Sequence, residues 1–343
     1  MLNRPLNLAI IGCGAITEHA HLPVASSLDA FRVSVLVDRD LRRAGALAEQ
    51  YGVEHVAADY ARMDEKPDAA LIALPPHLHA RASIELLRQG VHVLVEKPMA
   101  IAAADCDEMI RAAEASKAQL AVGLVRRFLS SFRLARAILD ANIIGPVESF
   151  DLREGLVYDW PTTSDSLFRR ETAGGGVLMD TGVYTLDALL FWLGEVESLE
   201  YFDDNGGGVE ADCELRLLMR SGAQGIVELS RTRRLRNTAR LKGTDATLEV
   251  SLHSNTVSLH QGTTSIDVTK NPQALGLKGN HSGLELFRAQ LVDWAESIQS
   301  ERPPAVTGTD GRRAVALIEA CYAQRRPLVL PWVALDSHRE TSV

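Results

Sequence analysis

Lys97, the Gly12-Cys13-Gly14 turn and Asp38 have the residue types and spacing to do chemistry together. Lys97 lies in Glu96-Lys97-Pro98, directly after the apolar run Val91–Val95, where a lysine can donate a proton or anchor a hydroxyl. The glycine pair follows the apolar run Leu8–Ile11 and opens a helical stretch through Ala15 and Ile16. Gly12 permits a tight turn, Gly14 lets backbone approach a pyrophosphate, and the helix start offers unpaired N–H groups. Thr17 stands where a third glycine would complete the fingerprint. Asp38 closes the next apolar run, Val33–Val37. A carboxylate there can accept from both hydroxyls of an adenosine ribose and repels a 2′-phosphate. Arg39 can instead stack on adenine or partner a phosphate. The expected ligand is NAD, with NADP possible.

The elements that must hold these residues alternate along the first 125 positions. Apolar runs at Leu8–Ile11, Val33–Val37, Ala69–Leu74, Val91–Val95 and Leu120–Leu124 read as strands buried on both faces. Helical stretches lie between them, at about Ala15–Leu28, Leu41–Tyr51, Leu78–Arg88 and Ala103–Ser116. This pattern predicts a doubly wound parallel α/β domain, whose ligands bind at the carboxyl ends of the strands. Leu74-Pro75-Pro76 gives one strand an extended exit able to wall a nicotinamide pocket. His79 is a candidate cofactor contact there, or a capping residue; the i, i+2 spacing of His77 and His79 suits a metal poorly.

Beyond Phe150 the pattern changes. A helix through Thr185–Leu193 is expected to stop at Gly194 in the left-handed conformation. Strand-like runs then follow without intervening helices: Ser198–Phe202, Ala211–Leu218, Gly225–Ser230, Thr238–Lys242, Thr247–Ser251 and Thr256–His260. They predict an α+β domain with a large, mostly antiparallel open sheet. Late helices at about Gly283–Gln299 and Thr309–Ala323 follow, the second capped by Thr309 and Asp310. The boundaries are 1–125 for the dinucleotide domain and 126–335 for a substrate and oligomerisation domain, with helix 309–323 able to pack back on the first. An open sheet face needs covering, which predicts a homodimer or homotetramer.

The chain has 343 residues, 46% hydrophobic and 24% charged, with a formal charge of -9 and a pI near 5.6. That balance argues against nucleic-acid or anionic-membrane surfaces as partners. Four scattered cysteines, Cys13, Cys106, Cys213 and Cys321, lack the spacing of a disulfide framework or a zinc site. Free thiols, no signal-like start and no apolar run of about 18 residues point to the cytoplasm.

Taken together, Gly12-Cys13-Gly14, Pro75-Pro76-x-x-His79, Val91–Pro98, Gly123-x-x-x-Arg127-Phe128 and Gly174–Tyr184 resemble the Gfo/Idh/MocA family of oxidoreductases. The resemblance implies a nicotinamide at the strand ends and a sugar or polyol in the cleft between two domains. It implies that Lys97 contacts the reacting oxygen and that Asp180 orients substrate, while Glu96 is structural or cofactor-adjacent. Where many members carry an acid/base histidine, this chain has Tyr184, which moves the reading toward a lysine–tyrosine pair.

The chemistry agrees. Hydride exchange at a carbinol carbon needs a proton to leave or join its oxygen, and an ammonium beside a tyrosine stabilises the phenolate. Arg126, Arg127, Tyr158, Trp160, Asp159 and Arg169 are candidate substrate contacts, the Tyr158–Pro161 stretch as a lid. The basic run Arg231–Arg236 reads as a solvated face or interface rim. The leading expectation is an NAD(P)-dependent oxidoreductase acting on a hydroxyl or keto carbon of a sugar or polyol. An NADPH-dependent ketoreductase of a nucleotide-linked deoxysugar and a non-catalytic dinucleotide sensor are the alternatives.

Overall fold

The computed structural model describes residues 4–159, 165–270 and 283–329. Strands β1 (Leu6–Ile11), β2 (Phe31–Val37), β3 (His55–Ala57), β4 (Ala69–Ile72), β5 (His92–Val95) and β6 (Leu120–Val122) form a parallel sheet in the order β3-β2-β1-β4-β5-β6. Helices α1 (Leu22–Ala25), α2 (Leu41–Tyr51), α3 (His79–Arg88) and α4 (Ala103–Ser116) alternate with the strands. The central strands are enclosed on both sides: Leu8 to Ile11, Ala69 to Ile72 and Val93 to Val95 are all buried. Continuous apolar runs are therefore the correct signature of these strands. The order of connection reverses between β1 and β4, which opens a crevice at their carboxyl ends.

The second half comprises α5 (Ser130–Asp140), β7 (Val147–Gly155), α6 (Arg170–Ala173), α7 (Val183–Leu193), β8 (Val196–Asp203), β9 (Asp212–Met219), β10 (Gln224–Ser230), β11 (Thr238–Gly243), β12 (Thr247–Ser251), β13 (Val257–Gln261) and β14 (Thr264–Asp267). It ends with α8 (Leu284–Gln299), α9 (Gly308–Ala323) and β15 (Arg325–Pro327). Its sheet runs β14-β13-β12-β11-β7-β10-β9-β8-β15. The pairs β7/β10 and β8/β15 are parallel and the others antiparallel. Helices α5, α7 and α9 pack beside one another and touch this sheet through β12 and β8. Helix α7 belongs to an apolar helical stretch, Arg170–Leu193, long enough to span a bilayer by length and composition; 72% of its apolar window is buried within the protein.

Both late helices return to the first sheet. Trp294 of α8 packs on Phe31 of β2 with ring centroids 5.7 Å apart. Arg312 of α9 forks onto Asp107 of α4 at 3.0 and 3.2 Å. The cap of α9 is Thr307 rather than Thr309: Thr307 Oγ1 accepts the Asp310 N–H while the Asp310 carboxylate accepts the Thr307 N–H. Gly194 ends α7 at φ 85°, ψ −146°, a glycine-only region distinct from the expected left-handed cap.

The second sheet leaves one face open, away from α5, α7 and α9. That face is laced with ion pairs, among them Arg153–Asp151, Arg153–Glu228, Arg216–Glu214, Arg236–Asp151 and Arg240–Glu249. Charged side chains project from its alternate positions, beside the partly buried Phe202, Leu218 and Ile226.

Candidate active site

The glycine turn is built as its residues require. Gly12 has φ +99°, and a Cβ on it would collide with the carbonyl of Ala73 at the end of β4. The turn therefore lies in the crevice between β1 and β4. Thr17 explains the missing third glycine: its hydroxyl donates to the Gly12 carbonyl at 2.6 Å and braces the turn. Ala15 and Ile16 stay partly accessible at the start of the following helix, which passes through a π-helical turn, Thr17–His21.

Asp38 lies just past β2, where its carboxylate accepts the N–H groups of Cys13 and Asp40, both at 2.8 Å. It does not cap α2; Asp40 does, by accepting from the Arg43 N–H. Asp38 is partly buried, its carboxylate oxygens each have a further lone pair for a hydroxyl donor, and Arg39 beside it is exposed. Across the crevice Pro75 extends the chain from β4 at φ −57°, ψ 142°, and Pro76 opens a short 3-10 turn. The chemistry of these residues suits a dinucleotide, which would lay its pyrophosphate toward Gly12, Gly14, Ala15 and Ile16, its ribose toward Asp38 and Arg39, and its nicotinamide toward Leu74, Pro75 and Pro76.

His79 differs from its assignment as a cofactor contact. It is fully enclosed, with its ring nitrogens 2.7 Å from the Leu74 carbonyl and 2.8 Å from the Pro98 carbonyl. It ties the two segments that flank the crevice and touches no open space. Glu96 is also internal. One oxygen meets His21 Nε2 at 2.7 Å and the other accepts the Lys97 N–H at 3.0 Å. Burial pushes the Glu96 pKa up, but His21 and Lys97 outweigh it and hold the carboxyl below its ordinary range. The backbone at Lys97 is thereby fixed to the glycine-turn helix.

Lys97 leaves the carboxyl end of β5 and meets the second half of the chain. Its Nζ donates to Asp180 Oδ1 at 2.7 Å and to the Asp180 carbonyl at 3.0 Å. The same Nζ lies 5.2 Å from the centroid of the Tyr184 ring, and Arg126 Cζ lies 4.5 Å from it. Asp180 sits in a second π-helical turn, Leu178–Gly182, which runs directly into α7 and so carries Tyr184 on the first turn of that helix. Such turns recur at functional sites because they re-aim side chains.

The start of this segment is fixed by Glu210, whose carboxylate accepts the N–H groups of Gly176 and Leu178 and the hydroxyl of Tyr322. A side chain at 176 would collide with the Glu210 backbone, which is why a glycine stands there.

The electrostatics correct one expectation. Burial pushes the Tyr184 hydroxyl up to about 12, and the opposing pull of Lys97 only moderates this. Tyr184 is thus a phenol at neutral pH, not a standing phenolate. Burial would depress Lys97, but Asp180 reverses the effect and holds the ammonium above its ordinary pKa. Asp180 is held below its ordinary value by Lys97 despite its own burial.

Arg126 faces Tyr184 but has both guanidinium branches on Glu154, at 2.9 and 2.7 Å. Glu154 also accepts from the Thr185 hydroxyl and lies 2.7 Å from His253 Nε2. Its burial is more than offset by Arg126, leaving a pKa of about 2.

Arg127, expected at the substrate, is instead committed to Asp187 at 2.6 and 2.7 Å and to Asp310 at 3.2 Å, 8% exposed. A guanidinium buried among helices needs carboxylates, and these two supply them. Arg169 pairs with Asp165 on an exposed loop, Asp159 is exposed, and Trp160 lies outside the described residues. Tyr158 packs edge-on to Phe168 with centroids 5.6 Å apart. Arg231 is the site residue the sequence did not reveal: its Nη2 lies 3.4 Å from Asp180 Oδ2.

Residues 6–124 match the family model described as oxidoreductase family, NAD-binding Rossmann fold, and residues 132–249 match that of the GFO/IDH/MocA C-terminal domain. The chain belongs to the Gfo/Idh/MocA oxidoreductase family. It is similar to D-glucoside 3-dehydrogenase of Escherichia coli, 30% identical over 62% of this chain and 62% of that one, so it spans under two thirds of that relative. It is 26% identical to myo-inositol 2-dehydrogenase of Thermotoga maritima over 94% of this chain and 96% of the other. Its fold superposes on aldose-aldose oxidoreductase from Caulobacter crescentus, solved with glycerol, at a TM-score of 0.82 and 26% identity, covering 94% and 97% of the two chains.

Proposed function

We propose that this chain is an NAD(P)-dependent oxidoreductase that interconverts a hydroxyl and a keto group on a sugar, polyol or sugar derivative. The observation that carries the reading is the meeting of Lys97, from the carboxyl end of β5, with Asp180 and the face of Tyr184 beside the glycine-turn crevice. The names of the relatives above support the substrate class. A bound nicotinamide supplies or accepts the hydride. The chain's own residues handle the oxygen and its proton.

Lys97 anchors the reacting oxygen through an ammonium that Asp180 keeps charged and aimed. As negative charge develops on that oxygen during reduction, the Tyr184 phenol gives up its proton to it. The resulting phenolate has the Lys97 and Arg126 cations over its ring. In oxidation the same groups run in reverse, with the phenolate taking the proton. Asp38 favours NAD over NADP in this reading.

Lys97→Met and Tyr184→Phe, assayed on a sugar and polyol panel with NAD and NADP, test these roles. Each substitution should cut kcat at least a hundredfold while dinucleotide Kd stays within about twofold. Near-normal turnover in both variants would refute the assignment.

A further inference from the structure

Strands β7 and β10 are parallel neighbours in register from Gln224↔Ser149 to Ser230↔Gly155, so both end at one edge of the sheet. Just past that edge the Tyr158 N–H donates to the Arg231 carbonyl at 2.9 Å, and the two side chains lie together, Arg231 Cζ 5.4 Å from the Tyr158 ring. The Arg231 side chain is 10% exposed. Among the described residues, neither Arg231 Nε nor Tyr158 Oη has a hydrogen-bond partner, though both atoms are buried. What sets these two apart from other unpartnered buried atoms is their place, together and beside Asp180.

The neighbouring pairs show which donor is free to take a partner. Arg126 is paired bidentately with Glu154, and Lys97 takes one oxygen of Asp180 at 2.7 Å. Arg231 reaches the other Asp180 oxygen only through Nη2 at 3.4 Å. Glu96 is engaged by His21 and the Lys97 N–H. Lys97 and Arg231 thus share the one Asp180 carboxylate, and the Nε of Arg231 is left without an acceptor.

We propose that Arg231 and Tyr158 form a carboxylate subsite, so that the preferred substrate is an acidic sugar or polyol such as an aldonate or uronate. The proposal rests on the oxidoreductase reading above and deepens it. The Nε–Nη2 edge of a guanidinium matches the two oxygens of a carboxylate, and the phenol supplies a third donor. Arg231 would then be a specificity-determining residue, reading a substrate group that does not itself react.

Matched pairs test this in the full chain: D-gluconate against D-glucitol and D-glucuronate against methyl D-glucoside, by NAD reduction and by calorimetric binding to cofactor-loaded protein. Wild type should prefer the acid at least tenfold in kcat/KM. Arg231→Leu should lose that preference, the acid-to-neutral ratio of kcat/KM falling to about one whatever the turnover on the neutral substrates. Arg231→Lys, which keeps the charge without the fork, should retain part of it and guards against misfolding of the leucine variant.

Equal or better use of the neutral members by wild type would overturn the subsite while leaving the oxidoreductase intact. An equal loss on both classes in Arg231→Leu would overturn it too. Gluconate binding that vanishes in Arg231→Leu, without hydride transfer on any compound, would uphold the subsite and sink the parent reading. Tighter binding of glucose 6-phosphate than of gluconate would overturn the carboxylate assignment.

Discussion

The protonation of Tyr184 makes the pH dependence of the two reaction directions unequal. Its hydroxyl is pushed up to about 12 by burial, against ~10 for a free tyrosine. Two pKa units correspond to roughly 2.7 kcal/mol in favour of the phenol. At about pH 8 only ~1 molecule in 10,000 then carries the phenolate, and that fraction grows about tenfold for each unit of added alkalinity.

Oxidation uses the phenolate as base, so kcat/KM for the alcohol should climb about tenfold per pH unit from about pH 7 to 10, without a plateau. Reduction uses the phenol, already fully populated there, so the ketone rate should stay flat. Both are read from nicotinamide absorbance in buffers of constant ionic strength. Tyr184→Phe should lower the oxidation rate by ~10²–10⁴ and abolish its slope. A plateau below about pH 9 in wild type, or an unchanged slope in Tyr184→Phe, would refute the reasoning.

Other residues give independent tests. Asp38→Ala removes a charged acceptor for ribose hydroxyls, a loss of about 1.5–3 kcal/mol, so NAD affinity should fall ~10–100-fold while NADP affinity holds or improves, measured by fluorescence titration. Arg127→Met leaves Asp187 buried without its partner and should cost about 3–5 kcal/mol of stability in denaturant titration, with KM for substrate unchanged. A raised KM with normal stability would return Arg127 to the substrate. Gly12→Ala must relieve both a positive φ and a collision with the Ala73 carbonyl; a stability loss of about 1–3 kcal/mol and weaker NAD binding are expected by thermal shift and titration.

The parts of the fold set by local rules were legible in advance. Gly12, Asp38 and Lys97 each follow a strand buried on both faces, so the strand pattern placed all of them at one edge. Strand β7 was not recognised because its core-facing series is Phe150, Leu152 and Glu154, and a carboxylate breaks the apolar alternation. That carboxylate is tolerated only because Arg126, Thr185 and His253 converge on it, which no short window displays. Missing β7 hid its parallel partnership with β10, and with it the position of Arg231.

The short edge strands β14 and β15 carry few apolar residues because their side chains stay exposed, so no apolar run marks them. Arg126 and Arg127 are adjacent and identical in type, yet one faces Tyr184 and the other is locked to Asp187, sixty positions along. Only their partners separate them. The tyrosine's proton affinity depended likewise on burial, which opposes the neighbouring charge and outweighs it here.

The convergence of two side chains on one substrate oxygen is most directly tested by a crystal structure of the ternary complex with NADH and a slow ketone substrate. Lys97 Nζ and Tyr184 Oη should both lie within about 3.2 Å of the carbonyl oxygen. A carbonyl oxygen held by other groups, with either of those atoms beyond hydrogen-bonding reach, would contradict the account.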